Sequence, residues 1–61
     1  MGVTLKAARV NMGLTQSEAA RKLGVTTQTL CNYEKYRKSP TVLMAKKMAD
    51  LYHTTVDDLF F

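Results

Sequence analysis

The stretch TQSEAARKLGVTTQTL, residues 15–30, carries two helix-start signals and a glycine between them. Thr15 with Glu18 has the spacing of a capping box, in which the threonine hydroxyl and the glutamate carboxylate each take one free backbone N–H. Thr26 repeats the start eleven residues on. Gly24 supplies the stop, because glycine accepts the left-handed conformation that ends a helix. Two short helices joined this tightly do not lie antiparallel. They cross steeply, and one of them stands proud of the domain. That restricts the fold more than any other feature of the chain, and it leaves the proud helix in want of a partner.

The rest of the chain reads as helix as well. Leu5, Ala8, Arg9 and Met12 follow one helical face, with Thr4 as the start and Gly13 as the stop. Ala19, Ala20 and Leu23 form the inward face of the second helix, and Leu30 and Tyr33 that of the third. YRKSP is a loop ended by Pro40. Thr41 caps a fourth helix whose stripe is Val42, Ala45, Met48, Ala49 and Tyr52, with Met44 as filler near it. His53 ends that helix, since histidine tolerates positive φ. Thr55 caps a last short helix with Val56, Leu59 and Phe60 inward, and Asp57 and Asp58 complement its dipole. No strand pattern, repeat or linker interrupts the series. The expectation is an all-α, compact domain of five short helices spanning residues 1–61.

Composition narrows the class of function. A chain of 61 residues has room for one small core. Its single cysteine, Cys31, forms no internal disulfide, so a reducing, cytoplasmic setting is the default. No apolar run is long enough to span a membrane, the first ten residues lack the core of a signal peptide, and Lys6 stands where a myristoylation signal needs serine or threonine. There is no glycine-rich phosphate loop, no metal-ligand cluster and no nucleophile beside a base, so neither enzyme chemistry nor a metal, cofactor or small-molecule ligand is expected. The charge is uneven. Residues 1–38 hold Lys6, Arg9, Arg21, Lys22, Lys35, Arg37 and Lys38 against Glu18 and Glu34, whereas the remainder holds Lys46 and Lys47 against Asp50, Asp57 and Asp58. Basicity confined to one part of a small domain points to a polyanion, with ordinary surface solvation as the alternative.

The spacing Gln16, Ala20, Gly24, Leu30, Tyr33, with Leu23 and Val25 apolar between, resembles the helix-turn-helix of the phage repressor and Cro (Xre) family. The likeness extends through LKAARVNMGLTQ before it and SPTVLMAKKMADLYHTTVDDLF after it, and so covers nearly the whole chain. It places the helix-turn-helix proper at about residues 15–35 and leaves no room for a second effector domain. The resemblance makes the third helix the one that enters the major groove of double-stranded DNA, with Thr27, Gln28, Cys31, Asn32 and Lys35 outward. Thr27, Gln28 and Asn32 are then the base readers, Gln28 foremost, because its amide matches adenine bidentately. Gln16, Thr26, Lys35, Arg37 and Lys38 fall on the phosphate backbone, and Gln16 also braces the first recognition residue. Arg9 and Glu34 fall where the family holds a structural ion pair. Tyr36 departs from the pattern, standing where a glycine usually follows the recognition helix.

The function implied is a sequence-specific, DNA-binding transcriptional regulator of bacterial or phage type. It would be a repressor that blocks polymerase at a palindromic operator, acting as a homodimer. The dimer contact is expected at the less basic C-terminal end, at Leu59, Phe60 and Phe61. The alternative is a protein-interaction module, such as an antitoxin, with DNA binding secondary or absent.

Overall fold

A computed structural model describes residues 2–60 and, at Phe60, the backbone. Four α-helices are present among the described residues: α1 (Leu5–Asn11), α2 (Gln16–Leu23), α3 (Thr27–Glu34) and α4 (Val42–Leu51). The fifth helix expected from the sequence is instead a single 3₁₀ turn, Val56–Asp58. Three residues between the Thr55 cap and the extended segment that starts at Leu59 cannot offset the cost of nucleating an α-helix, and the tighter i+3 turn is what remains. A second difference follows directly. The chain leaves that turn extended and pairs with its own beginning, β1 (Val3–Thr4) lying parallel to β2 (Leu59–Phe60) with Val3 opposite Leu59 and Thr4 opposite Phe60. Two-residue strands carry no alternation for a sequence to display.

Threonine opens every helical element. The hydroxyls of Thr4, Thr15, Thr26, Thr41 and Thr55 accept from the N–H groups of Ala7, Glu18, Thr29, Met44 and Asp58 at 3.1–3.2 Å. At α2 the box is closed: the Thr15 N–H donates back to Glu18 Oε1 at 3.0 Å. That bond holds the Glu18 carboxyl below its ordinary pKa, with the Thr15 hydroxyl adding to the effect.

The closures are equally uniform. Within two residues of its end each α-helix is followed by a residue of positive φ: Gly13 (71°), Gly24 (77°), Tyr36 (58°) and His53 (55°). The N–H of the following residue reaches back five positions in every case, from Leu14 to Arg9, Val25 to Ala20, Arg37 to Asn32 and Thr54 to Ala49, at 2.9–3.3 Å. This is the Schellman arrangement. At Gly24 the left-handed turn lets the cap of α3, Thr26, follow two residues later.

The core draws on all four α-helices and on β2: Leu5 and Ala8 from α1, Ala19, Ala20 and Leu23 from α2, Leu30 and Tyr33 from α3, Met48, Ala49 and Tyr52 in and just after α4, and Leu59 from β2. Ala19 and Ala20 are small and fully covered, so α3 and α4 both approach α2 closely. Three expected core residues lie outside it. Val42 is 80% exposed, because the buried residues of α4 begin only at Ala45. Met12 falls one residue past the end of α1, and Val56 sits on the 3₁₀ turn; both are exposed.

Candidate nucleic-acid interface

Helix α3 is held from below and bare above. Leu30 and Tyr33 are buried, while Thr27, Gln28 and Lys35 are exposed and Cys31 and Asn32 half-buried at the margin of the same face. The helix projects because the Gly24 turn sets it across α2 with Val25 packed against the core beneath.

Its orientation is fixed by a buried polar knot. Arg9 Nε donates to Glu34 Oε2 at 2.7 Å and Arg9 Nη2 to Glu34 Oε1 at 3.3 Å, with the two side chains only 9% and 3% exposed. Arg9 Nη1 donates to the Leu14 carbonyl at 2.8 Å, and Gln16 Nε2 donates to Glu34 Oε1 at 3.0 Å. One carboxylate thereby joins α1, the α1–α2 turn, the start of α2 and the last residue of α3. Buried charge of this kind is tolerable only when paired and hydrogen-bonded. The Gln16 amide thereby braces the end of α3.

Each of the other candidate residues has a definite place. The Thr26 hydroxyl caps α3 and also donates to Thr29 Oγ1 at 2.9 Å. Gln28 Nε2 donates to Asn32 Oδ1 at 3.1 Å, linking two base-reading candidates one turn apart. Taken singly the two residues give no hint of this bond; their i,i+4 spacing does. Lys35 caps the C-terminus of α3, and Tyr36 takes the left-handed conformation after it. The departure from glycine is therefore met by strain at Tyr36, about 1 kcal/mol or slightly more. The chain then runs in a set direction, since the Arg37 N–H is tied to Asn32. Arg37 and Lys38 are both exposed beside α3, and Tyr36 and Lys38 line a cleft of about 260 Å³ with Tyr33 and Pro40.

The C-terminal candidates divide. Leu59 is 5% exposed and its side chain belongs to the core of its own chain, which takes it out of the expected dimer contact. Phe61 and the Phe60 side chain lie outside the described residues. Among the described residues, no helix is long and apolar enough to cross a membrane, and no three His, Cys, Asp or Glu residues stand together as metal ligands do.

The Helix-turn-helix family model matches residues 5–59. The chain is 33% identical over 60 residues to an uncharacterized HTH-type transcriptional regulator of Archaeoglobus fulgidus, covering 98% of this chain and 86% of that protein. It is 39% identical over 59 residues to the HTH-type transcriptional regulator ImmR of Bacillus subtilis, covering 97% of this chain but 46% of ImmR. A third relative, an uncharacterized HTH-type transcriptional regulator of Methanothermobacter thermautotrophicus, is 38% identical over 61 residues, with 98% and 88% covered. No solved structure matches the chain.

Proposed function

The chain belongs to the helix-turn-helix family of Xre type, that of the phage repressors and Cro proteins, and from that premise we propose that it is a transcriptional repressor that binds a palindromic operator as a homodimer. The observation that carries the reading is the polar, uncovered face of α3. Thr27 and Gln28 are exposed on it, Asn32 is at its edge, and Lys35, Arg37 and Lys38 stand exposed around its C-terminal end. A helix bearing hydrogen-bonding side chains outward and cations at its flank is suited to the major groove. In this assignment Thr27, Gln28 and Asn32 read bases, and Lys35, Arg37 and Lys38 hold phosphates. Gln16 and Thr26, at the start of α2 and the cap of α3, present helix N-termini to the backbone.

One recognition helix spans too few base pairs for selective binding, so two copies act together on half-sites about 34 Å apart. Phe60 and Phe61 are assigned to the contact between them. Repression then follows from occupancy: a dimer over a promoter denies polymerase the same DNA.

A second reading has one observation in its favour. Val42 and Leu43, at the start of α4, are 80% and 71% exposed, as a surface for another protein would be. Selection of binding sites from a random duplex pool, followed by a salt titration on the enriched site, separates the two. Six cations on a dimer predict a log–log salt slope of about −5. A protein that enriches no sequence, or whose binding ignores salt, is not a DNA-reading repressor.

A further inference from the structure

Resting on the DNA-reading role proposed above, we infer that Asn32 is a positioning residue that presents the Gln28 amide to adenine, so that the two residues read as one unit. An exposed glutamine ordinarily samples many rotamers, and ordering it on a base costs free energy at the moment of binding. Here the Gln28 side chain is tethered before DNA arrives, by its Nε2 donation to Asn32 Oδ1 at 3.1 Å. The tether is itself anchored. Asn32 is half-buried, and its backbone carbonyl receives the Arg37 N–H at 3.0 Å in the turn that ends α3. The other glutamine near this helix, Gln16, donates its amide to Glu34 Oε1 at 3.0 Å.

The hydrogen-bond inventory then fixes what each amide offers. A glutamine amide has two N–H donors and one carbonyl. With one N–H given to Asn32, Gln28 retains one donor and one acceptor, the pair that matches adenine N7 and N6 in the major groove. Asn32, its carbonyl engaged by Gln28, has its NH₂ donors to offer. It therefore selects a neighbouring base edge that carries acceptors, guanine or thymine.

Site selection with the wild-type chain and the variants Gln28→Ala, Asn32→Ala, Asn32→Asp and Gln28→Ala/Asn32→Ala tests this. Alanine favours helix at both positions, and circular dichroism checks each fold. Gln28→Ala should relax an adenine preference at one position per half-site by roughly 5- to 150-fold, the discrimination a bidentate pair provides. Asn32→Ala should relax that same position as well as its own. The double variant should lose no more there than Gln28→Ala alone. Asn32→Asp keeps the acceptor for Gln28, and so should keep the adenine preference while binding all DNA more weakly. A full adenine preference in Asn32→Ala overturns the proposal and leaves the DNA-reading role standing. A wild-type chain that enriches no sequence overturns both.

Discussion

Removing the Glu34 carboxylate should nearly unfold this protein, although Glu34 lies at the end of a helix proposed to touch DNA. In Glu34→Ala the Arg9 guanidinium keeps one protein partner, the Leu14 carbonyl, of the three donations it now makes, and Gln16 loses its acceptor. Both side chains of the pair are more than nine-tenths covered, so water cannot replace what is lost without opening the fold. Stranding one member of a buried pair costs about 3–5 kcal/mol. At 0.05–0.15 kcal/mol per residue, a chain of 61 residues has about 3–9 kcal/mol in all. A loss of 3 kcal/mol lowers the melting temperature of so small a domain by about 12–24 °C.

Thermal and urea unfolding followed by circular dichroism measures the effect. The companion variant Arg9→Met/Glu34→Leu distinguishes a stranded charge from a lost shape. Replacing both members by apolar groups should recover much of the stability, because neither charge is then buried alone. If Glu34→Ala unfolds within about 1 kcal/mol of the wild type, the pair is solvated in solution and the cost assigned to burial is wrong. If the double variant is as unstable as the sum of the single ones, the charges are not coupled.

Three further outcomes follow from other parts of the molecule. His53→Gly should raise the melting temperature by a few degrees, since it removes a left-handed cost of roughly 1 kcal/mol at φ 55°; a lower value would mean that the histidine side chain contributes more than its backbone costs. Tyr52→Phe should leave stability at neutral pH unchanged or higher, because the buried hydroxyl has no hydrogen-bond partner among the described residues. Burial, with Glu34 nearby, pushes that hydroxyl up to about 12 from 10.0. The open chain ionises first, so the wild type should lose stability as pH rises from 10 towards 12, and urea titrations across that range should show a smaller loss in the phenylalanine variant. Arg37→Ala should weaken binding to all DNA sequences alike and flatten the salt slope by about one unit per subunit, read by gel shift at several salt concentrations; an unchanged slope would place Arg37 away from phosphate.

What was legible in the sequence was whatever a few neighbouring residues decide among themselves. Five threonines start five elements because a hydroxyl needs only the N–H three residues on. Gly24 stops α2 because its own backbone permits the turn. Spacing could not show that α4 overhangs the core at Val42, since the periodicity of a helix says which face is inward but not where the core beneath it ends. Nor could it show the β1–β2 pairing, whose partners stand at opposite ends of the chain. The bond between Arg9 and Glu34 spans 25 residues, and only the likeness to the family brought those two positions together.

The two non-glycine closures show where local and distant influences meet. Tyr36 and His53 adopt the same backbone as Gly13 and Gly24, at a combined cost of roughly 2 kcal/mol. The return is the same at all four ends: helix carbonyls otherwise left open are bonded by the residues that follow. At His53 the turn sends the chain towards Thr55 and the 3₁₀ turn, and so to the strand that closes the fold. At Tyr36 it does something else. It bonds Arg37 to the carbonyl of Asn32, the residue whose side chain holds Gln28. The strained turn therefore ties the proposed phosphate clamp to the proposed base reader through a single asparagine, so a change in the Tyr36 backbone should be felt at both.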